Sequence, residues 1–196
     1  MGLQPVKTTV NGGVPMFQKV IENAQGGFVL DHSTLTVGDT VKAGQPLSIN
    51  EATRKANVVK VAKVYENASS SATDIKVYKG HHFKVGDYIA KTAGGAAYAI
   101  TVINTSNAAY DTLTVGTTLG VALTADTDVL FQSSATGASA AAYSYTAEGL
   151  LYEDTDVSAG ASVSVVLRGT VYERRVPAVP AAVKATMPHI IYSSSY

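Results

Sequence analysis

Few residues in this chain have the types and spacing that chemistry requires. Two histidines stand together in Lys79-Gly-His-His-Phe83. Imidazoles suit zinc, but adjacent residues of a strand point to opposite faces, so His81 and His82 cannot hold one ion together. Gly80 beside them signals a turn, and a ligand role is not expected. His32 and His189 stand alone and read as surface or interface residues. Glu153, Asp154 and Asp156 form an acidic run between apolar segments. A glycosidase pair needs carboxylates held about 5–10 Å apart in a cleft, and the chain has no tryptophan to serve as a sugar platform. Calcium between Asp154 and Asp156 would call for a Gly-centred loop with further oxygen ligands, which does not follow. A solvated turn between two strands is the expectation for these three acids. There is no Gly-x-Ser-x-Gly, no P-loop and no dinucleotide fingerprint. The sequence therefore predicts no catalytic residue, no metal site, no cofactor and no enzymatic activity.

One stretch imitates a cofactor carrier. Val37-Gly-Asp-Thr-Val-Lys-Ala-Gly-Gln-Pro46, followed by Glu51-Ala-Thr-Arg-Lys55, looks like the biotinyl/lipoyl hairpin. In that family the modified lysine sits at a tight turn, typically after Glu-Ala-Met. Here Thr53 takes the methionine place and Arg54 the lysine place, and arginine cannot form the amide to biotin. Lys55 is one residue out of register, which in a strand aims it elsewhere.

The elements that must position these residues are short strands. Apolar residues make up 46% of the 196, enough for a core, while charged residues are only 15%, against about a quarter in ordinary domains. Formal net charge is zero, so no bulk attraction to nucleic acid or anionic lipid is expected. With no cysteine, disulfides and thiolate sites are excluded. The start, Met1-Gly-Leu-Gln-Pro-Val6, lacks a basic and an apolar signal region, and Val6 breaks the myristoylation pattern. No apolar run is long enough to cross a bilayer, so a soluble protein is expected.

Residues 1–27 contain Pro5, Gly12, Gly13, Pro15, Gly26 and Gly27 and read as an arm. Phe17, Val20, Ile21 and Ala24 fall at helical spacing, so a short helix is expected there, with an extended segment the alternative. From Phe28 the pattern is β. Short apolar runs follow at Phe28–Leu30, Pro46–Ile49, Val58–Tyr65, Ile75–Lys79, Phe83–Ile89, Tyr98–Ile103, Leu113–Val115 and Val129–Phe131, with turn clusters between them. Strands at this spacing predict a mainly β fold of small barrel or sandwich domains with one or two very short helices. Ser133–Ser139 is the best linker candidate. Pro180 and Pro188 bracket a stretch that can form one helical turn or two.

Eleven tyrosines accompany the absence of tryptophan, and Tyr143, Tyr145, Tyr152, Tyr172, Tyr192 and Tyr196 crowd the last third. They suit strand packing with hydroxyls at the rim and equally a protein–protein interface. Arg174-Arg175, read as strand residues, send one guanidinium to each face, where one can meet an acidic residue of another chain. Tyr172, Arg174, Arg175 and Tyr192 are the candidate subunit-interface residues. In the arm, Val10, Val14, Met16, Phe17, Val20 and Ile21 are more apolar than a free tail usually displays, and they are the candidate anchor on a larger surface.

Several segments, taken in order, resemble a known family. Lys42-Ala-Gly-Gln-Pro-Leu47 follows the Gly-rich arm, and Arg54-Lys-Ala-Asn-Val-Val-Lys-Val-Ala-Lys63 comes next. Val77-Tyr-Lys-Gly-His-His-Phe-Lys-Val-Gly-Asp87 and Asn104-Thr-Ser-Asn-Ala-Ala-Tyr-Asp-Thr-Leu-Thr-Val115 lie in the middle. Gly149–Val157 and Val163–Pro177 close the order. This pattern resembles bacteriophage head fibre and head decoration proteins of the kind found in phages of gut Bacteroides, over most of the chain from about residue 28. The resemblance implies a β-rich subunit, usually trimeric, that binds the outside of an assembled head through the major capsid protein. It would be made in the host cytoplasm and reside on the virion. The expected organisation is an N-terminal arm (1–27), a decoration-type domain (28–57 plus 138–196) and an inserted small barrel (58–137), with three beads in sequence as the alternative. A second functional class is a phage host-recognition module that binds a receptor or surface glycan.

Overall fold

The computed structural model describes residues 15–194. Among the described residues, turns separate sixteen strands, one α-helix and one 3-10 turn, so the fold is mainly β. The first five strands are β1 (Phe17–Asn23), β2 (Phe28–Leu30), β3 (Thr40–Val41), β4 (Pro46–Asn50) and β5 (Lys55–Val58). Then come β6 (Val61–Lys63), β7 (Asp74–Tyr78), β8 (Tyr88–Ala90), β9 (Ala97–Asn104), β10 (Tyr110–Val115) and β11 (Val129–Ser133). The last group is β12 (Gly149–Leu151), β13 (Thr155–Asp156), β14 (Ser162–Val163), β15 (Val165–Tyr172) and β16 (Ile190–Ser193), with α1 (Ala181–Ala185) before β16.

Strands β6 to β11 pair only among themselves, in the order β6-β11-β8-β9-β10-β7. The sheet curls until its ends meet, where Val64 bridges Val77 and the Tyr65 N–H donates to Lys76 O at 2.8 Å. Alternation sets its inner face. In β10, Asp111, Leu113 and Val115 are buried and the residues between them are half-exposed. Ile75, Val77, Ile89, Ile100, Leu113 and Leu130 fill the interior.

The larger sheet draws on both flanking segments, in the order β1-β15-β12-β4-β5-β2-β14, with β16 running parallel on β15. Its central strands are covered on both faces, because neighbouring residues enter different clusters. Leu151 and Val165 join Leu30, Leu47 and Val58, whereas Leu150 and Val166 join Val171, Val183 and Met187. Continuous apolar runs are what such strands need. Helix α1 closes the second face through Val183, with Pro180 at its N-cap and Pro188 beyond its end. Strands β3 and β13 form a separate two-stranded ribbon.

Residues 17–23 are an edge strand and not a short helix. The register explains the misleading spacing. Phe17 faces Val171 and Val20 faces Gly169, with irregularities between Phe17 and Lys19 and between Val20 and Glu22. Each irregularity adds a residue to β1, so two inward positions lie three apart, as on a helix. Gly169 permits this contact, since a Cβ there would sit 2.6 Å from Lys19 O. Residues 133–139 are pinned and do not form a loose linker. Ser133 Oγ donates to Ala135 O at 2.7 Å and accepts the Ala142 N–H at 3.1 Å, and the Gly137 N–H donates to Ala97 O at 2.9 Å.

Candidate functional site

The carrier-like hairpin is held by its own arginine. Arg54 lies in the turn between β4 and β5 with φ +55°. Its Nη2 donates to Gln25 O at 2.6 Å and Gly27 O at 2.8 Å, and the guanidinium stacks 4.2 Å from the centre of the Phe28 ring. The acidic run is likewise engaged in fixing a turn. Asp154 accepts the Ala43 N–H and the Lys42 ammonium, both at 2.8 Å. Partial burial pushes its pKa up, but these two hydrogen bonds outweigh that and hold it below the ordinary value. Asp156 accepts Thr40 Oγ1–H at 2.7 Å, tying β13 to β3. Glu153 is exposed.

Arg174 and Arg175 occupy a turn and are not strand residues. Strand β15 stops at Tyr172, whose carbonyl accepts the N–H groups of Arg175 at 2.9 Å and Val176 at 3.3 Å. Arg175 folds back over the Tyr172 ring, 4.3 Å from its centre, and donates to Pro15 O at 3.1 Å. The Tyr172 N–H donates to Met16 O at 3.0 Å, so this pair clasps the entry to β1. Arg174 is exposed and makes no ion pair with any described residue. Tyr192 packs on the core cluster containing Val183, its hydroxyl enclosed without a hydrogen-bond partner among the described residues. Burial, reinforced by the Glu173 charge, pushes that phenol well above the ordinary tyrosine range. Lys184 pairs with Glu173 and lies 4.7 Å from the centre of the Tyr192 ring.

Met16, Phe17 and Val20 of the candidate anchor pack against the chain's own core, while Ile21 is 57% exposed. Val10 and Val14 lie outside the described residues. Ile191 on β16 is 61% exposed, so two of the strands that pair with β15, β1 and β16, each carry an exposed isoleucine.

The two curled units meet where sequence gave least warning. Lys60 is 1% exposed and donates to Asp87 Oδ2 at 2.7 Å. Asp87 also accepts the Lys84 N–H at 2.9 Å and Gln132 Nε2–H at 3.0 Å. Burial lowers the Lys60 pKa against the pull of Asp87. Lys84 Nζ crosses to Leu35 O at 2.9 Å. His81 is buried, and its Nδ1 accepts the Phe83 N–H at 3.0 Å. A neutral ring therefore carries its proton on Nε2, which lies 3.3 Å from Asp111 Oδ2 without the alignment of a hydrogen bond. Lys79 Nζ reaches Asp111 Oδ1 at 2.5 Å. Burial lowers both histidines, against Asp111 for His81 and against Asp39 for His82, which falls to about 4. His82 holds φ +59°, which turns the chain between Gly80 and Phe83. Asp111 could have been suspected from sequence, since alternation puts it on the inward face with Leu113 and Val115. Its partners Lys79 and His81 are about thirty residues away and leave no local signal.

Beside this junction runs a cleft of about 370 Å³, walled by Lys63, Tyr78 and His81 on one side and Glu173, Arg174 and Pro177 on the other. Of the residues singled out from sequence, Arg174 and His81 come together here. Among the described residues, no group of three or more His, Asp or Glu side chains is placed to hold a metal ion, and no helix is long and apolar enough to cross a membrane. No family model matches the chain, and neither a curated protein nor a solved structure matches it.

Proposed function

We propose that this chain is a structural virion protein that binds the outer surface of an assembled phage capsid as a head fibre or decoration subunit. The observation that carries this reading is the interleaved larger sheet. The segments that resemble the opening and closing parts of decoration-type subunits, residues 28–58 and 149–193, pair with each other, while residues 61–133 curl separately between them. The resemblance expects that arrangement of an outer domain with an inserted barrel. A weakly charged surface with zero net charge suits packing against a shell and against copies of itself. Closed threefold symmetry suits a capsid position of the same symmetry, and many weakly bound copies gain avidity from it. The partners are the major capsid protein and two further copies of this chain. Ile21 and Ile191, on the strands flanking β15, are the apolar groups best placed to meet them. No catalytic role is proposed for Glu153 or Asp154.

Mixing the purified full chain with purified empty capsids tests the reading. Regular density on the outer surface in electron micrographs, together with a trimer mass by light scattering, is the expected result. Binding to host glycans with no binding to capsids would overturn it. A monomer both free and on particles would reject the trimer. Hydrolysis of host polysaccharide that disappears in Glu153→Gln or Asp154→Asn would defeat the non-enzymatic assignment.

A further inference from the structure

The cleft between the units has no part in the function proposed above, yet its chemistry is specific. A second hollow of about 340 Å³ continues from it past Asp126 to Lys184 and Tyr192, and the two share Lys63, Glu173 and Arg174. Each falls within the volume range of small-molecule sites, about 300–1,000 Å³. Lys63, Lys79, Arg174 and Lys184 line the combined groove against Asp126 and Glu173. Lys63 pairs with Asp126 at 3.1 Å, Lys79 with Asp111 and Lys184 with Glu173. Among the described residues, the Arg174 guanidinium is the one of these cations that makes no ion pair, and its planar fork matches a carboxylate through two parallel hydrogen bonds.

Two further observations point to a ligand rich in hydroxyls. The Tyr192 side chain lines the second hollow, and its enclosed hydroxyl has no hydrogen-bond partner among the described residues. His81 lines the first, its Nε2 poorly aligned with Asp111 Oδ2 at 3.3 Å. Unmet buried donors are rare enough in folded proteins to call for an explanation, and a ligand hydroxyl reached by a small side-chain shift supplies one. Tyr78 presents a ring that is 37% exposed, steadied by its hydroxyl's hydrogen bond to Asp126 at 2.8 Å. An aromatic face of this kind receives the C–H face of a sugar ring. A phosphate-rich ligand would need more free positive charge than one guanidinium provides.

We propose that this cleft binds an acidic saccharide, with Arg174 taking the carboxylate and Tyr78 stacking on the ring. The test is titration of the isotope-labelled full chain with a glucuronate-containing tetrasaccharide, its carboxyl-reduced neutral counterpart and a hexaglutamate peptide. The acidic saccharide should shift the amides of Lys63, Tyr78, residues 173–176 and Ala178, and the neutral one should bind at least about tenfold more weakly, the loss expected when a charge-assisted pair is removed. Arg174→Ala should cause a similar loss, which Arg174→Lys should only partly restore, and Tyr78→Ala should cause a smaller one. Because Arg174 is exposed, an unchanged melting curve will show that its variant is folded. Equal binding of the neutral sugar, indifference to Arg174→Ala, stronger binding of hexaglutamate, or no shift with any probe would overturn the proposal.

Discussion

The two curled units use strands in opposite ways. The smaller is built from one continuous stretch of chain and each strand is antiparallel to its neighbours; β7 and β10 bury one inner face only, while β6, β8 and β11 also bury Val61, Ala90 and Phe131 on the other side. The larger takes strands from two distant segments, contains the parallel pairs β2–β5 and β15–β16, and is packed on both faces. Alternation therefore marks β7 and β10 of the small unit, whereas runs such as Leu150-Leu151 and Val165-Val166 mark the centre of the large one, and Leu130-Phe131 marks the side of the small one that is covered on both faces. The polar contacts that join the units, Lys60 with Asp87 and Lys84 with Leu35, are long-range in sequence. Local pattern specifies each sheet, and the sheets are joined by the Lys60–Asp87 pair at the β5–β6 link, the Lys84 contact and the Tyr143 ring, which stacks 4.0 Å from Phe131 and packs on both cores.

Breaking the junction should have the largest effect. Asp87→Ala strands the Lys60 ammonium in a buried site, and a loss of about 3–5 kcal/mol in urea unfolding is expected. Lys60→Met, which removes the charge and keeps the bulk, should cost far less. Equal losses would show that Asp87 matters through its contacts with Lys84 and Gln132 instead.

Acid should act on the same junction. The folded-state pKa values of His81 and His82 lie below the unfolded value, so the unfolded chain binds more protons. Their contribution to stability is complete above about pH 6.5 and is lost as pH falls toward about 4, the His82 value. For His82 the whole loss is at most about 3.5 kcal/mol, taking about 1.4 kcal/mol per pH unit from 6.5 down to about 4. The lowered carboxylates, Asp31, Asp126, Asp128 and Asp154, lose their contribution only below the ordinary aspartate range. His82→Asn, which tolerates the left-handed backbone, should flatten the urea midpoint between pH 6.5 and 4. An unchanged slope would reject the assignment.

Glycine substitutions sharpen the contrast between the sheets. A Cβ on Gly149 would meet Val166 O at 2.6 Å, whereas one on Gly116 meets nothing closer than Thr101 Cγ2 at 3.5 Å. Gly149→Ala should destabilise the protein by about 1–3 kcal/mol through overpacking, and Gly116→Ala should be near neutral. Thermal melts of the two variants decide this. The smallest effect is expected at Arg54→Lys. An ammonium cannot keep both carbonyls and the Phe28 stack, so a loss of about 1 kcal/mol should appear as faster hydrogen exchange at residues 25–29.

Most strands were legible because turn residues and apolar runs are local signals. The exceptions have physical causes. In β1 the irregular register put Phe17 and Val20 at helical spacing. At Arg174-Arg175 no Gly or Pro between Tyr172 and Pro177 marks the turn that the backbone makes directly after Tyr172. The Phe83–Ile89 run narrowed to Tyr88–Ala90, since Lys84 and Asp87 are committed to the junction. Of the candidate site, Arg174 could be singled out by type alone. Tyr78 and His81 join it only through the approach of two sheets that no spacing records.

The position of β15 between β1 and β16 bears on the order in which the protein is built. Phe17 must wait for Val171, so the larger sheet cannot finish until nearly the whole described chain has been synthesised. The small sheet has no such delay, because its strands are complete well before β15 emerges. Once β6 pairs with β11, Val61 stands opposite Phe131, and the strands leading in and out, β5 and β12, are delivered as near neighbours. A long loop closure becomes a short one, with the smaller entropic cost that shorter loops carry, and the non-local pairings that slow β proteins are partly prepaid. The small sheet, lying within the large one in sequence, is thus placed to act as a vectorial clamp on its folding.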